Sequence, residues 1–309
     1  MPLLSIVSPV YRAEKIIPEL VRRISEGATK LINDFEIVLV EDGSPDNSWK
    51  AIEDVCARDT RIKGIKLSRN FGQHYAITAG LSFSKGDYVI VMDCDLQDNP
   101  EYIETLYQKA LEGYDIVLTR KEKREHSLFK NAMASLFFVI FNYLSDNKSV
   151  DANKYSGSYS LMSRKAVDAF LSIKEFHRHY LMVVQMLGFK KTYIDIKHDA
   201  RFEGKTSYTF SKLVKHAVNG ITSQSDKLLR ISVSIGFIMF LLSVLWAAFI
   251  IIKYFTTGLL SGYASVMVSI LLGTGMILIS IGITGIYIGK IFEQAKGRPL
   301  FIVDKSINL

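Results

Sequence analysis

Three aspartates fall within six residues in Asp93-Cys94-Asp95-Leu96-Gln97-Asp98, directly after the apolar run from Tyr88 to Met92. If that run is a strand that persists through Asp95, Asp93 and Asp95 project from one face, roughly 7 Å apart. Such a pair can hold one hard divalent cation between carboxylate oxygens and a bound diphosphate. Mg²⁺ usually takes only one or two protein carboxylates, with waters and substrate phosphates completing its shell. Mg²⁺ or Mn²⁺ is therefore the cofactor expected here. Asp98 stands just before Pro100 and is expected chiefly as the cap of a helix opening there.

The elements that must position these groups are legible from periodicity. Apolar runs at residues 3–10, 35–40, 62–67, 87–92 and 114–118 alternate with helically spaced stretches at 16–29, 48–57, 75–84 and 100–112. This βαβα order predicts an α/β fold with a mostly parallel sheet covered on both faces. Ligands of such sheets bind beyond the carboxyl ends of the strands. The polar residues gather there: Tyr11 and Glu14 after the first strand, Glu41 and Asp42 after the second, Arg69 and Asn70 after the third. Asp93 and Asp95 follow the fourth, and Arg120 the fifth. A dinucleotide fingerprint is excluded, because no glycine precedes Gly27. Gly204-Lys205-Thr206 resembles the end of a P-loop, but Asp199 occupies the position that needs a glycine.

The chain of 309 residues is 49% hydrophobic with a net charge of +7, and its apolar surplus lies near the C-terminus. Residues 231–252 carry no charge, and as a helix they span about 33 Å against a hydrocarbon core of roughly 30 Å. No charge recurs between Lys253 and Lys290, so a second span fits at about 263–288. Lys212, Lys215, Lys227 and Arg230 precede the pair, while Lys290, Lys296, Arg298 and Lys305 follow it. The positive-inside rule then places both ends of the hairpin in the cytoplasm. Residues 1–10 lack the basic n-region of an export signal. The organisation expected is a cytosolic catalytic domain at 1–210, an interfacial helix at 211–230, two transmembrane helices within 231–289 and a cytosolic tail at 290–309. Residues 128–144 are apolar but short for a span, and are expected as a second interfacial helix, the alternative being burial against the catalytic domain or another subunit. Cys56 and Cys94 have neither disulfide nor zinc spacing.

Several motifs together resemble glycosyltransferase family 2, whose fold is the GT-A nucleotide-diphospho-sugar transferase domain. They are Ser8-Pro9-Val10-Tyr11 with Glu14, Glu41-Asp42-Gly43-Ser44, Ser68-Arg69-Asn70-Phe71-Gly72-Gln73 and the aspartate cluster. The hairpin, Gly220-Ile221-Thr222-Ser223 and Tyr287-Ile288-Gly289-Lys290 resemble the polyprenyl-phosphate branch, the bactoprenol glucosyltransferases and dolichol-phosphate mannose synthases. The resemblance implies that Pro9, Tyr11, Glu14, Asp42 and Asp93 line the nucleotide. It implies that Asp95, Gln97 and Asp93 surround the metal and that Arg201 meets the donor diphosphate from a closing loop. Asp93, Asp95 and Arg201 are the implied catalytic set. Arg120, Arg124 and Lys130 would receive the acceptor phosphate. Gly157-Ser158-Tyr159-Ser160 departs from the bacterial Gly-Asp-Phe-Arg, which implies altered sugar contacts at Ser158 and Tyr159.

The activity implied is inverting transfer from a nucleotide-sugar donor, with a leaning towards UDP, onto polyprenyl (undecaprenyl) phosphate at the cytoplasmic membrane face. Membrane lipid, a homo-oligomer and a separate flippase are the implied partners, with no nucleic acid. A processive polysaccharide synthase would need a Q-x-x-R-W motif and more spans, and neither Trp49 nor Trp246 follows an arginine. A non-catalytic membrane scaffold is disfavoured by the complete acidic series.

Overall fold

A computed structural model describes residues 3–32, 34–121, 156–176, 178–196, 227–257 and 262–309. Two compact units emerge, one holding an α/β sheet and the other the C-terminal helical hairpin. In chain order the sheet unit contains β1 (Leu4–Val10), α1 (Ile17–Thr29), β2 (Phe35–Glu41), α2 (Ser48–Cys56), β3 (Ile62–Leu67), α3 (Gln73–Phe83), β4 (Tyr88–Val91), α4 (Tyr102–Leu111) and β5 (Ile116–Lys121). Then come β6 (Ser156–Ser163), α5 (Arg164–Ser172), α6 (Tyr180–Met186) and β7 (Lys191–Ile196).

β1 and β2 are buried along their whole length, as continuous apolar runs are when helices cover both faces of a sheet. Leu4, Ile6 and Val10 of β1 join the core beneath α1, α2 and α4, whereas Val7 joins the core beneath α3 and α5. α1 shows why the covering helices form: Ile17, Leu20, Val21, Ile24 and Ala28 are buried along one stripe, with a proline in the first turn. On its outer face Arg22 bonds Glu19 and Glu26.

The strand order is β7-β5-β6-β4-β1-β2-β3, closed at the far edge by β8 (Val303–Ile307). β3, β2, β1 and β4 run parallel, so the winding direction reverses between β1 and β4. That switch point opens a crevice at the carboxyl ends of both strands. Beyond β4 the sheet is mixed, because β6 enters antiparallel between β4 and β5. At the amino ends of the strands, far from the crevice, the Glu36 carboxylate is buried. It accepts the Ser5 hydroxyl at 2.6 Å, the Lys85 N–H at 2.6 Å and the Lys63 ammonium. Burial works against this carboxylate, but the Lys63 ammonium and the other donors hold its pKa below the ordinary range.

The segment expected as a tail at 290–309 is differently built. Helix α8 (Tyr263–Ala295) continues to Ala295, and the chain then returns to the sheet as β8, antiparallel to β3. The Ser68 N–H donates to the Ile302 carbonyl at 2.9 Å. Asn308, at φ 60, donates its side-chain amide to the Cys56 and Ile62 carbonyls at 3.0 and 2.9 Å. Five residues are too few for periodicity to reveal a strand with only half-buried ends. In the second unit α7 (Lys227–Thr257) packs on α8, and both are long and apolar enough to cross a membrane. Each extends beyond the spans expected at 231–252 and 263–288.

Candidate active site

The crevice between β1 and β4 holds a cavity of about 420 Å³, walled by Pro9, Tyr11, Arg12, Asp42, Asp93 and Asp95 among others. Its rim is built from unusual backbone. Arg12 (φ 53), Gly43 (φ 62), Leu96 (φ 58) and Gly72 (φ 107) all lie in the left-handed or glycine-favouring region. Such residues turn the chain sharply at the strand ends and persist where surrounding structure over-determines them.

β4 ends at Val91, so Asp93 to Asp98 form a turn rather than a continued strand. The expected strand alternation therefore does not carry Asp93 and Asp95. The left-handed Leu96, buried under the turn, does. Asp93 Oδ1 accepts from Gln73 Nε2 at 2.7 Å and from the Ser158 hydroxyl at 2.8 Å, which fixes its direction from two sides. Asp95 Oδ1 accepts the Gln97 N–H at 3.1 Å. Asp98, expected as a helix cap, is 2% exposed and accepts the Asp93 N–H at 3.3 Å, tying the turn to itself. Asn99 Oδ1 takes the Glu101 N–H at 3.0 Å instead.

Could this turn hold a divalent cation? The donors are hard carboxylate oxygens on a cavity wall. No group of three or more His, Cys, Asp or Glu side chains forms a cage among the described residues. That combination fits a Mg²⁺ or Mn²⁺ ion that takes one or two protein carboxylates and completes its shell from a diphosphate. Burial pushes the intervening Cys94 thiol up to about 12, so it stays protonated and offers no soft thiolate.

Asp42 is 3% exposed. Its two oxygens accept the Phe71 and Gly72 N–H groups at 2.7 and 2.9 Å, while Asn70 Nδ2 donates to its carbonyl at 2.9 Å. The carboxylate thus locks the β3–α3 loop, and so shapes the cavity wall it belongs to. Glu41 beside it is also buried; the Ser44 N–H meets its Oε1, and its Oε2 has no hydrogen-bond partner among the described residues. Burial chiefly, with the Glu41 charge added, pushes Asp42 from an ordinary 3.8 up to about 6. The folded state therefore binds a proton that the unfolded state releases between those two values. Stability from this group rises as pH falls through about 6 and is complete below about 3.8. Thermal unfolding from pH 7.5 to 5.5 should show that upward slope in the parent and lose it in Asp42→Asn, by differential scanning fluorimetry.

The remaining expected residues divide clearly. Pro9 is buried on the cavity wall and Tyr11 projects there, 44% exposed. Glu14 is not on that wall; it accepts from the Asn47 N–H and side-chain amide, each at 3.3 Å. Gln97 lies in the turn, half-buried. Arg120 sits opposite Asp195 in the β5–β7 register, 3.2 Å from its carboxylate and 5.3 Å from the Tyr193 ring centre, outside the cavity wall. Ser158 reaches the site through Asp93. Tyr159, its neighbour on β6, points to the other face as strand alternation requires. It is fully buried there, its hydroxyl donating to the Asn99 carbonyl at 3.2 Å. Arg124, Lys130, Arg201 and His177 lie outside the described residues, as do the stretches 128–144 and 211–226. His74 packs on His179 with ring centres 4.1 Å apart and accepts the Tyr180 N–H at 3.5 Å.

Sequence reading assigned no role to Gln73 or Arg12. Gln73 opens α3 directly after Gly72, and a glycine followed by a polar helix start is the signal that marks it. Arg12 carries no such signal, since nothing in its residue type announces a left-handed conformation.

Comparison with known proteins gives a consistent result. Residues 5–171 match the family described as Glycosyl transferase family 2. The chain is 36% identical over 307 residues to the uncharacterized glycosyltransferase YkcC of Bacillus subtilis, covering 99% of this chain and 94% of that one. It is 38% identical over 302 residues to the glycosyltransferase sll0501 of Synechocystis, covering 97% and 94%. It is also 32% identical over 309 residues to the undecaprenyl-phosphate 4-deoxy-4-formamido-L-arabinose transferase of Pseudomonas fluorescens, covering 98% and 89%.

Proposed function

The chain belongs to glycosyl transferase family 2, and from that premise we propose that it moves a sugar from a nucleoside diphosphate onto polyprenyl phosphate with inversion at the anomeric carbon. The observation that carries this reading is the Asp93–Asp98 turn, which brings Asp95 to a nucleotide-sized cavity at the sheet's switch point beside Tyr11 and Asp42. In this reading Tyr11 covers the nucleoside base, Pro9 and Asp42 wall it, and Gln73 and Ser158 hold Asp93 towards the donor.

Asp95, with Gln97 and Asp93, would hold Mg²⁺ or Mn²⁺, which supplies positive charge to the departing diphosphate. The acceptor is a phosphate monoester whose second pKa near about 6 leaves it mostly ionised at neutral pH, so no strong general base is required. A single displacement follows, without a covalent glycosyl-enzyme. Arg120, together with Arg124 and Lys130, is assigned to the acceptor phosphate, and Arg201 to the donor diphosphate. Arg120 is held beside Asp195, so it would exchange that partner for the phosphate.

The two apolar helices, flanked by Lys227, Arg230, Lys296 and Arg298, support a cytoplasmic orientation of both ends under the positive-inside rule. A donor arriving from the cytosol and a lipid acceptor in the bilayer then meet on one side. A homo-oligomer and a separate flippase belong to the same reading.

The test is a panel of radiolabelled nucleotide sugars incubated with the full-chain protein and undecaprenyl phosphate, with and without EDTA. Label passing into a lipid-extractable, mild-acid-labile product only without chelator is the expected result. Label in high polymer would replace the reading by a synthase, and no incorporation from any sugar by a non-catalytic binder. Ser158→Ala removes a hydroxyl that donates to Asp93 at 2.8 Å. That hydrogen bond to a charged group is worth about 1.5–3 kcal/mol, so kcat/KM should fall roughly tenfold or more. Ser158→Thr should restore most of the rate.

A further inference from the structure

Arg12 stands at φ 53 on the cavity wall, with an exposed side chain. Left-handed backbone is uncommon for a non-glycine residue and is favoured by asparagine rather than arginine. An asparagine or glycine here would make the same turn with less strain. What holds Arg12 is the neighbouring loop: its N–H donates to the Ser44 hydroxyl at 3.1 Å, and the Ala13 N–H donates to the Ser48 hydroxyl at 3.0 Å. Both bonds fix backbone and leave the guanidinium uninvolved. The strain thus places an arginine side chain beside Tyr11, its guanidinium carbon 5.5 Å from the ring centre.

The charge of the wall says what that side chain is for. Asp42, Asp93 and Asp95 make the wall acidic, and Arg12 is the one cationic side chain among the described residues that line it. Arg12 also forms no ion pair among the described residues. A donor diphosphate entering such a cavity meets net repulsion that a single divalent cation does not remove. An arginine fork matches phosphate oxygens two at a time and is always charged.

We propose that the Arg12 guanidinium binds the diphosphate of the nucleotide-sugar donor, held on the cavity wall by a backbone conformation that has no structural need of an arginine. This rests on the donor reading given above, and deepens it by naming an anion-binding residue on the β1 side of the site, opposite the aspartate turn.

The experiment compares the parent, Arg12→Asn and Arg12→Lys as full-chain protein in detergent with Mn²⁺. Calorimetric titration of UDP, GDP, CDP and ADP into the parent identifies the nucleotide. That nucleotide and its nucleoside are then titrated into each variant, and unfolding midpoints are recorded. Arg12→Asn is expected to bind the nucleoside diphosphate about tenfold more weakly, with unchanged affinity for the nucleoside and an unfolding midpoint at or above the parent's. Arg12→Lys should fall between the two. Equal diphosphate affinity in parent and Arg12→Asn overturns the inference while leaving the donor reading standing. So does a parallel loss of nucleoside binding, or a lowered midpoint accompanying the loss. A parent that binds none of the four diphosphates overturns the donor reading, and this inference with it.

Discussion

Asp95→Ala is expected to lower kcat for sugar transfer by about a hundred- to a thousandfold, the cost of removing one preorganised electrostatic contact to a developing charge. The unfolding midpoint should barely move. Asp95 is half-buried in a turn whose shape is carried by other groups: the left-handed Leu96, and Asp98 reaching back to the Asp93 N–H. It accepts the Gln97 N–H within the turn at 3.1 Å, and a half-buried side chain removed from a turn opens no cavity in the core. In the proposed mechanism the carboxylate's value is therefore chemical, as an oxygen donor on the cavity wall for the cation. Two readouts check this independently: radiolabel transfer, and manganese binding by electron paramagnetic resonance in the presence of UDP. Asp93→Asn should be milder, because an amide still accepts from Gln73 or Ser158 through its oxygen. An Asp95→Ala protein that transfers sugar at the parent's rate would remove the metal site from the mechanism altogether.

The parts of this fold that were legible in the sequence are those where one period runs through a whole element. β1 to β5 and α1 to α4 sit within a few residues of their expected bounds, because each buries a continuous face and each connection is short. The ends of strands were legible as places but not as shapes. Asp93 and Asp95 were recognised as a pair, yet the strand alternation invoked for them stops at Val91. Left-handed residues such as Leu96 and Arg12 override a two-residue period without leaving a compositional trace. The resemblance takes Ser158 and Tyr159 together, as parts of one segment that departs from the family pattern. On a strand, adjacency means opposite faces, and the structure buries one while the other bonds Asp93. β8 was missed for the opposite reason. Its partner is β3, more than two hundred residues earlier, and no local signal encodes an edge pairing at that separation.

The same coupling of distant segments makes Gly43 a residue at which a single added methyl should harm both fold and site. A Cβ built on Gly43 would fall 2.3 Å from the Asn70 nitrogen and 2.4 Å from the Arg69 carbonyl carbon. Both are backbone atoms, so no side-chain rotation relieves the clash. Gly43 is also at φ 62, where an alanine carries further strain. Gly43→Ala should therefore cost about 2–4 kcal/mol, combining overpacking with the conformational penalty. Relief of the clash requires Gly43 and the loop that carries Arg69 and Asn70 to move apart. That loop supplies the Phe71 and Gly72 N–H groups to Asp42, and its first residue is tied to the C-terminal segment through the Ser68 to Ile302 bond. That movement should separate Asp42 from its donors and alter the cavity wall that Asp42, Asn70 and Gly72 share. Affinity for the nucleoside diphosphate that the parent binds should fall by about ten- to a hundredfold, as the wall held by two hydrogen bonds to the Asp42 carboxylate is disturbed. Gly72→Ala provides the contrast. It shares the glycine-favouring backbone, at φ 107, but its Cβ would meet nothing nearer than the Tyr75 ring at 3.8 Å. It should lose stability from strain alone and retain more of its UDP binding. Equal losses of affinity in the two variants, measured by calorimetry beside their unfolding midpoints, would show that backbone strain rather than the Gly43–Asn70 contact governs the donor pocket.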